Sequence, residues 1–368
     1  MSTKKINLNV NLMLSFIVFS MLLNSMSVII LQLSQNQQHS YTGLGMLEFF
    51  KDIPIALVSI FMVDYIKKRS YYSSLSIALI ICTLDSFTIP FVSEFWFLKI
   101  WFILIGISFS IGKICVFSII KNISDNEKDF SKTMSRTEAA FMLGVFIVNI
   151  EFAIILNSDY KDYWKFGFWL VGIISSWAAF QFYRIDKQNV YEIDKSQSKE
   201  VIDFRILFDY KSILFFTIVV IIVFTEQIFN SWLPTFYKHT LKADSFFALQ
   251  SSALLALFSF IGRLLASKAV VKFSPMKIFF FCLISGIILT SSAYIIGQDT
   301  DVKFKILMFL FPMVGIFTAP LYPMLNSKYL SKFSERRVGK IVSIIILFTS
   351  LGGSIGSIST AYIFQKNL

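Results

Sequence analysis

Eleven stretches of about twenty predominantly apolar residues follow one another along this chain, each long enough for a helix to cross the hydrocarbon core of a bilayer. They lie near residues 10–33, 43–66, 71–93, 95–120, 133–157, 162–184, 211–236, 245–268, 275–297, 303–327 and 339–364. Backbone in lipid must satisfy its own hydrogen bonds, so the expected fold is an all-α polytopic bundle. Composition agrees: 55% of the residues are hydrophobic and 15% charged, against roughly 25% charged in a soluble domain. MSTKKINLNV leads into the first stretch without a small-residue cleavage site. That stretch therefore reads as a retained span and not as a signal peptide.

The longest polar interval, 185–210, mixes both charge signs and follows the sixth span. It reads as a linker between an N-terminal half, 1–184, and a C-terminal half, 211–368. The division is six spans plus five, whereas two repeats about an axis along the membrane normal would give six plus six. Either a twelfth helix is missing from this chain or the C-terminus at QKNL lies outside.

Basic residues fix the orientation. Lys4 and Lys5, Lys67–Arg69, Lys121–Arg136, the linker, Lys268–Lys277 and Lys328–Lys340 all fall on one side, while the opposite loops hold few. The positive-inside rule places that side and the N-terminus in the cytoplasm, here of a bacterial inner membrane. It also accounts for the net charge of +11 without a nucleic-acid partner. Cys82, Cys115 and Cys282 lie inside apolar spans with no CxxC or histidine pairing, and His39 and His239 fall in outer loops. Neither a disulfide framework nor a metal site is expected. With no P-loop and no nucleophile triad, the chain does not read as an enzyme, and no cofactor is implied.

Charges inside the spans carry the functional signal. One Asp or Lys at the centre of a bilayer helix costs about 2.5–3.5 kcal/mol, and such residues face a protein interior or a solute path. The second span holds Glu48, Lys51 and Asp52 at i, i+3 and i+4, on one helix face. Two of them can neutralise each other, which leaves Asp52 as the functional candidate. Lys113, Glu138, Glu151 and Glu226 repeat the theme. Lys113 and Glu138 lie at similar heights above the inner side and are expected to meet between adjacent helices. Asn230, Trp232 and Gln227 are candidates to contact a polar solute, while Gly352, Gly353 and Gly356 read as helix-packing positions.

Two loops carry a family resemblance. VDYIKKRS, with Asp64, Lys68 and Arg69, resembles the cytoplasmic loop motif of the major facilitator superfamily, although Tyr65, Ile60 and Lys67 depart from it. IGRLLASKAVVKFS after the eighth span is similar to its second copy, with Gly262 and Arg263 matching and Val271 where an Asp is often found. TEQIFNSWLPTFY, through Glu226, Trp232 and Pro234, and GIFTAPLYPMLNS resemble the seventh and tenth helices of the fucose–galactose–glucose:proton symporter branch. The first span offers Ser25 and Ser27 where that branch has an acid, and Lys113 stands at or beside its fourth-span acid. LGVFIVNIEFA lacks the proline of the drug–proton antiporter pattern.

The resemblance implies a two-half carrier whose first, fourth, seventh and tenth helices line a central cavity. Lys113 is then expected to hold the substrate or coupling charge, with Glu226, Asp52 and Glu138 as carboxylate partners. Asp64, Lys68, Arg69, Gly262 and Arg263 are implied to make gating contacts, whereas Arg136 reads as a topology charge. The expected activity is secondary transport of a small polar or anionic solute, a sugar or organic acid, with proton coupling, by a monomer. A non-transporting sensor or scaffold with a carrier fold is the alternative.

Overall fold

The computed structural model describes residues 3–35, 41–92, 94–188, 209–239, 243, 245–297 and 303–367, and every regular element among them is helical. The first set comprises α1 (Thr3–Asn24), α2 (Met26–Gln35), α3 (Tyr41–Phe61), α4 (Val63–Arg69), α5 (Tyr71–Thr88), α6 (Phe95–Ile123), α7 (Glu127–Leu156) and α8 (Phe168–Lys187). The second set comprises α9 (Tyr210–His239), α10 (Ser245–Ala269), α11 (Pro275–Gly297), α12 (Lys303–Thr318), α13 (Leu321–Leu330) and α14 (Glu335–Asn367). Most of the expected linker lies outside the described residues, as does His39.

Ten segments among the described residues are long and apolar enough to cross a membrane. The eleventh expected span is α3 continued by α4. Its three charges set it apart from the ten, yet it packs against α6 and α14 like its neighbours. Within the first set α5 packs on α6 and α8, and α1 on α7; within the second, α9 packs on α14 and α10 on α12. The sets meet chiefly where α7 lies along α10 and α3 along α14.

Helix breaks follow from local chemistry. At the α1–α2 junction Asn24, Ser25 and Ser27 turn their side chains onto the carbonyls of Ser20, Leu22 and Asn24, the back-bonding that bends helices. Prolines act at a distance of one turn, because each removes the donor that the carbonyl four residues earlier would use. Pro312 thus frees the Met308 carbonyl, and Tyr237 Oη donates to it at 3.1 Å. Pro320 and Pro323 free the carbonyls of Ile316 and Ala319 between α12 and α13.

Close packing needs small residues on the facing helix. A side chain at Gly352 or Gly356 would come within 2.7 Å of the Val220 carbonyl or 2.9 Å of the Phe224 carbonyl, so both are α9–α14 packing positions. Gly262 is tighter still, because a Cβ there would strike the Ile316 carbonyl. Gly262→Ala is expected to destabilise the protein by about 1–3 kcal/mol through overpacking. A thermal melt in detergent checks this, and an unchanged midpoint would refute the packing role.

The end carrying the basic loops, here the basic end, is closed by contacts between the sets. Glu127, Ser131, Ser135 and Glu138 share one face of α7, spaced near the helical repeat. Lys328 Nζ meets Glu127 at 3.1 Å, the Ser131 and Ser327 hydroxyls lie 3.0 Å apart, and Ser135 donates to the Arg263 carbonyl at 2.8 Å. Nearby, Lys128 donates to the Val271 carbonyl at 3.3 Å and Ser59 to the Ser343 carbonyl at 3.1 Å.

Candidate functional site

Beyond this closure a cavity of about 180 Å³ opens between the two sets, where a single water needs only ~10–15 Å³ of such space. Its floor, nearest the basic end, is formed by Lys113 of α6, Glu138 of α7, Glu226 of α9, Arg263 of α10 and Tyr322 of α13. Phe16, Phe109, Phe141, Met142 and Val145 make an apolar wall beside the floor. A second polar tier follows, with Glu48, Lys51 and Asp52 of α3 facing Gln227 and Ser231 of α9. The tiers can be spaced from one contact: Ser110 Oγ donates to the Ile55 carbonyl, which registers α3 against α6. At 1.5 Å per residue Asp52 sits about 9 Å and Glu48 about 15 Å above Lys113.

Arg263 organises the floor. Its side chain is 2% exposed, and Nη1 donates to the Glu138 carbonyl at 2.9 Å and approaches Glu138 Oε2 at 3.3 Å. Nη2 lies 3.5 Å from Glu226 Oε1, and Nε donates to the Ala319 carbonyl at 3.0 Å. That last acceptor is available because residue 323 is proline, so the PLYP segment and the buried arginine are two parts of one device. The guanidinium's flat fork of donors suits this many-sided contact. Since Glu138 belongs to the first set and Glu226 to the second, Arg263 joins the two across the cavity floor.

Lys113 is buried, and its ammonium lies over the rings of Tyr322, Phe109 and Phe117 at 4.9, 5.5 and 5.8 Å. Among the described residues no carboxylate stands within ion-pair distance of it. Lys113 and Glu138 meet on the cavity floor and interact electrostatically, but the contact ion pair of Glu138 is with Arg263. The α3 cluster also pairs differently from the simplest reading. Lys51 Nζ lies 3.8 Å from Asp52 Oδ1, and Asp52 Oδ2 accepts from Ser354 of α14 at 2.8 Å. Glu48 Oε1 accepts from Gln227 Nε2 at 3.1 Å and from Ser231 Oγ at 3.0 Å. Both α3 acids therefore hold the second set.

Of the residues singled out in the sequence, Lys113, Asp52, Glu138, Glu226 and Asn230 line this cavity. Trp232 does not: its indole donates to Ser357 of α14 at 3.4 Å. Lys68 and Arg69 are exposed, and Arg69 bonds Tyr65 and Ser73 on its own stretch of chain. The side chain of Asp64 lies outside the described residues. Ser70, beside this loop, has a φ of 148°. This is a costly conformation for a residue with a side chain, and it is pinned by a 2.6 Å bond to Asp186. Arg136 is exposed, as a topology charge would be, and Glu151 is partly buried outside the cavity. Sequence reading missed Tyr322, Asn149 and Ser350 in the lining and placed Arg263 at a loop gate. An arginine inside an apolar span needs an acidic partner, and that signal was available in SFIGRLLAS.

Among the described residues, three cations and four carboxylates face this cavity. With all seven ionised, one negative charge stays uncompensated, so the site can take up a proton or a cationic group without rebuilding. Such a charged, half-polar chamber between two helix sets is what solute movement requires. The model of the Major Facilitator Superfamily matches residues 8–357. The chain belongs to this superfamily.

As a member of the superfamily, the protein is an integral, multi-pass membrane transporter. The proton:xylose symporter XylE matches at 17% identity with a TM-score of 0.71, covering 98% of this chain and 88% of that one. The E. coli fucose:proton symporter FucP, in its outward conformation, matches at 14% identity and 0.66, covering 96% and 91%. A bacterial homolog of the human lysosomal transporter Spinster, inward-facing and occupied, matches at 15% and 0.69, covering 100% and 85%. At these identities the likeness establishes the fold alone. No curated protein matches the sequence.

Proposed function

We propose that this transporter is a secondary carrier moving a small polar or anionic solute, a sugar or an organic acid, by proton-coupled alternating access. The observation that carries the reading is the cavity itself: it lies between the two helix sets, holds seven charged side chains and is closed at the basic end. The two sets act as halves that rock about this site. The positive-inside rule puts the basic end in the cytoplasm, so the arrangement is the one that loads from outside. Lys113 carries the solute or coupling charge, and Glu226 and Asp52 are the proton carriers beside it. The symporters XylE and FucP share the fold, which supports proton coupling by analogy. Lys68, Arg69 and Asp64 remain in this reading as gate residues at the basic end.

The test is uptake of labelled sugars and organic acids into proteoliposomes carrying an imposed proton gradient. A carrier accumulates its solute and loses the gradient-driven part when a protonophore is added. If no solute enters faster than into protein-free vesicles, the reading fails. Gating predicts a separate signature, in which Asp64→Asn keeps solute affinity and slows turnover. An equal loss of affinity would argue against it.

A further inference from the structure

We infer that Lys113 anchors the carboxylate of a monoanionic solute, so that the carrier transports small organic acids and not neutral sugars or phosphate esters. This rests on the carrier reading above and narrows it. The pairing of individual charges leads there: the described lining carries one negative charge in excess, which a co-transported proton offsets, yet one of its cations has no ion-pair partner. Arg263 is matched by Glu138 and Glu226, and Lys51 by Asp52. Lys113, 7% exposed, is the remaining cation of the described lining; aromatic rings and the Tyr322 hydroxyl stand against its ammonium, and Glu138 acts on it from beyond ion-pair distance. A buried cation calls for a counter-charge, and the rings supply a fraction of one.

A second donor stands beside it. Tyr322 is 4% exposed and lines the same cavity, and its hydroxyl stands between the Lys113 ammonium and the Asn326 amide. An ammonium and a phenol hydroxyl on one side of a pocket offer one donor to each oxygen of a carboxylate, and hydrogen bonds with an ionised partner are the stronger kind. A dianion is disfavoured, because Glu138, Glu226, Asp52 and Glu48 face the same space. A neutral sugar leaves the ammonium without an ion-pair partner in contact. Beside Lys113 the rings of Phe109 and Phe141, 6.0 Å apart, and of Phe16, 6.1 Å from Phe141, form a wall for the carbon skeleton.

The experiment uses the purified full chain in detergent, with lactate, gluconate and benzoate as probes. Glycerol, glucose and benzamide serve as neutral counterparts, and inorganic phosphate, titrated at mildly alkaline pH where it is mostly doubly charged, as the dianion. Thermal shift and calorimetric titration are expected to show binding of at least one carboxylate, with no comparable response to its neutral counterpart or to phosphate. Lys113→Gln should weaken that binding by about ten-fold or more, the factor that a lost charge-assisted hydrogen bond carries. Lys113→Arg should retain it. Without ligand, Lys113→Gln should melt near the wild type, because no described carboxylate is in ion-pair contact with the ammonium; a structural ion pair would make it melt much lower. No response to any carboxylate, a response that survives Lys113→Gln, or a neutral sugar bound equally by both proteins would each overturn the inference. Proteoliposome flux then separates the two levels. A neutral solute carried at the same rate by Lys113→Gln rejects the carboxylate assignment and leaves the carrier standing, while absence of any flux rejects the carrier as well.

Discussion

Replacing Arg263 with methionine is expected to destabilise the protein by about 3–5 kcal/mol, the cost of leaving buried charges without their partner. The loss has several parts. Glu138 and Glu226, 3.3 and 3.5 Å from the guanidinium, would face each other without a cation between them. The carbonyls of Ala319 and Glu138 would lose their donor as well. Methionine fills much of the vacated volume, so the change reports electrostatics more than a cavity. Adding Glu138→Gln and Glu226→Gln to Arg263→Met should recover most of the melting temperature, because the repelling charges are then gone. A single Arg263→Met that melts with the wild type would show that the triad does not hold the halves together.

Glu226→Gln should uncouple transport. Glu226 shares Arg263 with Glu138 and lines the cavity, with its side chain 17% exposed. It is thus a carboxylate that both a proton and the guanidinium can satisfy. Glutamine keeps the shape and fixes the group in the neutral form. Exchange of solute across the membrane should therefore continue while accumulation driven by a proton gradient is lost, a drop to the equilibrium level. The check is paired: counterflow and gradient-driven uptake measured on the same proteoliposomes. If gradient-driven accumulation survives in Glu226→Gln, the proton is carried elsewhere, and Glu138 or Asp52 becomes the carrier to test.

How much of this was legible in the sequence differs residue by residue. The bundle was readable because eleven apolar runs leave helices as the means of crossing a membrane. The α3 charges were readable as a single face, because i, i+3 and i+4 spacing is a property of the helix alone. Their partners were not: Glu48 is held by Gln227 and Ser231, some 180 positions away, and helix rotation about its own axis is set by packing. For the same reason the Lys113–Glu138 pairing came out as a longer-range interaction and not as a contact pair. Equal height does not decide which of two cations a carboxylate meets, and Arg263 reached it across the interface between the sets. Trp232 had the sequence context of a binding residue, but the turn of α9 aims it at α14. The tenth span reads in the sequence as one helix, 303–327, although Pro320 and Pro323 divide it into α12 and α13, and that a freed carbonyl would receive an arginine required the placement of α10.

Alternating access has the most direct test at the closed end. Ser131 and Ser327, on opposite helix sets, have hydroxyls 3.0 Å apart in the buried contact that seals the cavity, and the three native cysteines are buried. Ser131→Cys/Ser327→Cys can be oxidised to a disulfide that holds this end shut, and flux measured before and after reduction. The expected result is loss of transport on oxidation, recovery on reduction, and solute binding that persists in both states. Full flux through the cross-linked protein would contradict alternating access at this cavity.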